Sequence, residues 1–121
     1  MRPKSIGALF TAALLFLCSV AVWAEPKGET VTVKGEVVDL LCYLEGGDHG
    51  FEDKQCGIAC SAAGNPIGLL TVNGEIDVMM GIKHHKRSRD LLIGKMAETV
   101  SVEGTLAKKG GIQVIQVSSV R

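Results

Sequence analysis

Cys42, His49, Cys56 and Cys60 lie close together in the chain, in the spacing C-x6-H-x6-C-x3-C. Thiolate sulfur and imidazole nitrogen are the donors that soft and borderline metals prefer, and four of them can close a tetrahedral shell. A zinc or copper ion is the cofactor this donor set suits. The spacing matches no zinc finger, whose ligand pairs sit roughly two to four residues apart at both ends.

A disulfide is the competing chemistry for the same residues. Cys56 and Cys60, four apart on a helix, are near enough to bridge but poorly directed. Joining Cys42 to either one closes a loop of roughly 14–18 residues, which the chain-entropy model values at about 3 kcal/mol. One thiol would then be left unpaired. The sequence leaves both readings open. A redox pair is less well matched, because Cys-x3-Cys is one residue longer than Cys-x-x-Cys, and Glu52 and Asp53 oppose a thiolate nearby. There is no Cys-x-x-Cys-His, the signature of covalent haem. No nucleophile–base–orienter set or carboxylate pair can be placed by spacing, so no catalysis is assigned.

Other chemistry-bearing residues have plainer roles. His84-His85, between Lys83 and Lys86-Arg87, reads as a solvated basic loop, with an anion or metal contact as the functional alternative. Met79-Met80 offers thioethers, but neighbours on a strand point to opposite faces and at most one joins any site. Asp39 and Tyr43 flank Cys42 and either orient a ligand or close the rim of the domain. Gly46, Gly47 and Gly50 shape a loop.

The elements that must position these residues follow in order. Val31 to Leu41 reads as a long strand with a bulge or bend at Gly35, delivering Cys42 at or just beyond its end. Leu44 to Gly50 is a glycine-rich loop. Glu52 to Ala63 is a short helix capped by Gly64, carrying Cys56 and Cys60 on one face. Ile67–Val72 and Glu75–Met80 are strands joined at Asn73-Gly74, a strong hairpin signal. Asp90–Met96 forms a helical turn. Thr99–Leu106 and Ile112–Val120 complete five strands, with a turn at Lys108–Gly111.

The N-terminus has its own pattern. Arg2 and Lys4 precede an apolar run from Ile6 to Val22, with small residues at Ala21 and Ala24, as in a secretory signal peptide cleaved after Ala24. A retained anchor or a lipidated Cys18 are the alternatives; Leu17 stands where lipidation favours a small residue. Cleavage leaves residues 25–121 as one domain, slightly acidic after loss of Arg2 and Lys4. Cys42, Cys56 and Cys60 remain of the four cysteines, and Tyr43 and Phe51 of the aromatics. So small a domain has a modest core, and a metal or disulfide staple would matter to it. Two aromatics and a slight negative charge argue against nucleic-acid binding.

Five strands, a bent first strand and a helical element between the third and fourth point to a mainly β, OB-like barrel. The cysteine-bearing helix between the first and second strands is an addition to that minimal form. Gly35-Glu-Val-Val-Asp-Leu-Leu-Cys-Tyr-Leu44, Cys56-Gly-Ile-Ala-Cys60 and Gly64-Asn-Pro-Ile-Gly-Leu-Leu-Thr71 resemble a group of small exported bacterial proteins. Those proteins share a Cys-Tyr segment, a cysteine pair and a Gly-x-Pro-x-Gly-Leu-Leu strand. The resemblance implies an OB-like fold and a periplasmic or secreted location, and it supplies no activity. The expectation is an exported metal-binding protein with Cys42, His49, Cys56 and Cys60 as ligands and no membrane span after cleavage. The alternative is a disulfide-stabilised module that contacts a protein partner.

Overall fold

A computed structural model describes residues 28–121. The predicted leader and its cleavage point lie outside the described residues. Among those residues, no helix is long and apolar enough to cross a membrane.

The domain is mainly β. Its strands are β1 (Thr30–Asp39), β2 (Ile67–Thr71), β3 (Ile76–Gly81), β4 (Thr99–Lys109) and β5 (Ile112–Val120). Pairing runs β1-β2-β3-β5-β4 and returns from β4 to β1, so the strands close into a barrel. All pairs are antiparallel except β3 with β5. The connection between those parallel neighbours runs through α3 (Arg89–Leu92), the 3₁₀ turn Ile93–Lys95 and β4, since parallel neighbours need a long connection.

The long first strand is shared between two partners. Gly35 pairs with Thr71 of β2 on one side and with Val100 of β4 on the other. Neither ladder shifts register there, so the expected bulge is absent; the irregularity lies instead at Glu103/Gly104 of β4, opposite β5. Gly35 has a different purpose. A Cβ at this position would lie 2.7 Å from the Leu70 carbonyl oxygen, so only glycine lets the strands approach this closely.

The core fills the barrel interior with Val37, Leu69, Met79, Val102, Ile115 and Val117, closed at one end by Leu92 and Met96. Met79 is buried and Met80 exposed, the alternation a strand imposes. The Asn73-Gly74 turn forms as expected. Gly74 takes a positive φ of 79°, and the Thr71 N–H donates to the Glu75 carbonyl at 2.9 Å.

The segment between β1 and β2 departs most from expectation. Leu40 and Leu41 do not extend the strand, and residues 44–46 are not loop; α1 (Leu40–Gly46) begins immediately after Asp39. The Asp39 carboxylate accepts from the Leu41 and Cys42 N–H groups at 3.1 Å, capping donors that have no partner within the helix. Gly47 ends α1 in the left-handed conformation, φ 73°, donating to the Tyr43 carbonyl. A 3₁₀ turn at Phe51–Asp53 leads into α2 (Lys54–Ala63), which Gly64 caps. Cys42 therefore sits on a short helix rather than a strand end. Both cysteine helices pack beside one another against β1.

Candidate metal centre

On α2, Gly57 and Ser61 are buried and face the body of the domain. Cys56 and Cys60 each precede one of these residues, which turns them about 100° away from the buried face. That rotation aims both thiols toward α1, where Cys42 lies buried. Gly57 lets α2 lie close to the core: a Cβ there would meet the Met96 sulfur at 2.9 Å. Cys60 is partly covered and Cys56 exposed, so the three sulfurs lead from the interior to the surface.

The Cys56 sulfur stands 3.9 Å from that of Cys42 and 3.9 Å from that of Cys60. All three sulfurs lie within 4.8 Å of one another, and no disulfide joins them. A disulfide requires sulfurs about 2.0 Å apart. Metal–thiolate bonds of about 2.3 Å place sulfurs about 3.8 Å apart in a tetrahedral shell and about 4.0 Å apart in a trigonal one. The two separations that involve Cys56 fall in that range, and the third, between Cys42 and Cys60, is within 4.8 Å.

Two further contacts fix this arrangement. Asp39 is fully buried; while one carboxylate oxygen caps α1, the other accepts a hydrogen bond from the Ser61 hydroxyl at 2.9 Å. Arg89, at the start of α3, donates to the Ser61 and Ala62 carbonyls at 3.1 and 2.8 Å. These acceptors belong to the last turn of α2, where the Ser61 carbonyl also takes the Gly64 N–H and a cation is favoured by the helix dipole. Sequence reasoning missed Arg89, because nothing local marks it as a partner of residues nearly thirty positions earlier.

The surroundings favour the neutral form of the Cys42 and Cys56 thiols. Burial pushes the Cys42 thiol far up, helped by the nearby Cys60, Asp39 and Cys56 side chains and by the Asp39 charge. For Cys56 the largest influence, the hydrogen bond with Cys42, acts downward. The hydrogen bond and charge of Cys60, burial and the Asp53 charge outweigh it and raise the thiol overall. Asp53 is itself raised, chiefly by burial and then by the Asp48 and Asp39 charges.

His49 is not part of the cluster. Its Nδ1 lies 3.1 Å from the Glu36 carboxylate on β1, and its ring meets Tyr43 edge-on with centroids 6.1 Å apart. The other Glu36 oxygen accepts the Gly50 N–H. One carboxylate thus holds two successive residues of the loop against β1, which keeps the imidazole from the thiols. Among the described residues, the candidate ligand set brought together is Cys42, Cys56 and Cys60, without the expected fourth member. His84 and His85 lie on an exposed loop between β3 and α3. Tyr43 touches His49 rather than orienting a thiol.

Comparison with protein-family models, with curated proteins and with solved structures finds no match. The site must therefore be read from its own chemistry.

Proposed function

We propose that this protein binds one soft or borderline metal ion through the thiolates of Cys42, Cys56 and Cys60. The observation that carries this reading is the pair of 3.9 Å sulfur separations, the spacing of a metal–thiolate shell. Zinc suits the site better than copper(I), because three thiolates beside the buried Asp39 concentrate negative charge that a dication offsets more fully. Binding replaces three thiol protons with one metal ion, giving a centre of net charge −1 with zinc.

The order β1-β2-β3-β5-β4 and the helix between β3 and β4 support an OB-like assignment for the barrel. The basic, apolar and small-residue pattern of residues 1–24 supports export to the periplasm or beyond. In that compartment a filled metal site would protect the thiols from oxidation.

The test is elemental analysis of protein purified without chelator or reloaded with zinc after reduction. About one zinc per chain is expected, lost on Cys56→Ser. Protein that takes up no metal, with Cys42 bridged to a helix cysteine, would favour the disulfide-stabilised binding module instead.

A further inference from the structure

Among the described residues the cluster offers three donors, whereas zinc in a closed structural site takes four. Two nearby residues are already engaged. Asp39 has both oxygens committed, one to the α1 cap and the other to Ser61. His49 is held by Glu36 through its Nδ1 and through the neighbouring Gly50. Met96 lies on the buried side of α2, against Gly57, and fills the core. The thiol nearest solvent is Cys56, so the uncommitted side of the cluster is the exposed one.

Charge narrows what can enter there. Asp39 acts on Cys42 and Asp53 on Cys56, both as negative charges. A three-thiolate zinc centre already carries net charge −1. An anionic fourth ligand would raise this to −2 beside two carboxylates, whereas a neutral nitrogen donor leaves it unchanged.

Resting on the metal-binding reading above, we propose that the centre keeps its fourth coordination position open at the Cys56 side for a neutral nitrogen donor from outside the chain, of the imidazole class. Such a site exchanges its fourth ligand without dismantling the three-sulfur base, as sites with an open position do. A histidine side chain on another molecule and a small imidazole compound share this chemistry.

Cobalt(II) reports on both levels of the proposal. Reduced mature protein, residues 25–121, loaded with cobalt(II) should show thiolate-to-metal charge-transfer absorption; its absence would overturn the metal reading and this one together. Adding imidazole should then shift the visible d–d bands saturably, with the charge-transfer bands retained. Azide should need roughly tenfold higher concentration or more, the penalty of one added negative charge near two carboxylates. A peptide with a single histidine, titrated in parallel, separates the sources. Tighter binding than free imidazole assigns the donor to a protein, and equal binding to a small molecule. His49→Ala should leave every response unchanged. Full charge-transfer absorption with d–d bands unmoved by imidazole would overturn the open position while sparing the metal site. So would an imidazole response that appears only in His49→Ala, which would make His49 the fourth ligand. Azide acting at the concentration of imidazole would overturn the neutral-donor preference.

Discussion

The Ser61 hydroxyl donates to the Asp39 carboxylate over 2.9 Å, joining the cap of the helix that carries Cys42 to the helix that carries Cys56 and Cys60. Both residues are fully buried. The distance between the two cysteine-bearing helices is therefore set by a hydrogen bond that water does not weaken.

Removing that bond should cost stability and metal affinity together. Ser61→Ala leaves one oxygen of a buried carboxylate without its protein partner, which should lower unfolding free energy by about 2 kcal/mol. The check is a reduced denaturant midpoint at unchanged m-value, with weaker zinc binding in a competition titration. Loss of stability with zinc affinity intact would show that the thiols are positioned some other way.

Arg89 should behave as a clamp on the far end of the same helix. Arg89→Ala removes two hydrogen bonds to the Ser61 and Ala62 carbonyls, and part-burial suggests a cost of about 1 kcal/mol. Hydrogen exchange should speed up in the last turn of α2 more than in β4 or β5. Both bonds come from one guanidinium nitrogen, so Arg89→Lys, whose single ammonium also carries several donors, should recover part of the loss.

The pH responses of the empty and filled protein should oppose each other. Burial holds the folded Cys42 thiol above its ordinary value of 9.0, so the folded chain keeps this proton more firmly than the unfolded one. The resulting stability is complete below about pH 9 and lost as pH rises further. Metal binding runs the other way. It releases three protons, so apparent affinity should rise by up to about a thousandfold for each unit of increasing pH while all three thiols are protonated. Asp39→Asn keeps a capping side chain but removes a negative charge, so the Cys42 thiol should ionise at lower pH. Ultraviolet thiolate absorbance during an alkaline titration measures that shift.

The five strands, the Asn73-Gly74 hairpin and the Gly64-capped cysteine helix were legible in the sequence because each rests on a local pattern. The first cysteine helix was not. Val37 to Leu41 is apolar on both sides of the strand–helix junction except for Asp39, and that residue marks a helix start only once its carboxylate is seen on the following N–H groups. The placement of His49 was equally hidden. Its spacing from the cysteines fits a fourth ligand, but its partner Glu36 lies on β1, thirteen residues earlier. Ligand spacing therefore singled out the three cysteines that the fold brings together, while the tertiary contact with Glu36 places His49 apart from them.

The most direct measurement is a count of the thiols that one zinc ion protects. Reduced protein should be mixed with one equivalent of zinc, treated briefly with an alkylating reagent and mapped by peptide mass. Cys42, Cys56 and Cys60 should all be protected, and all should become reactive when a chelator and mild denaturant are added. Protection that is the same without zinc, or confined to the buried Cys42, would contradict a shared three-thiolate centre.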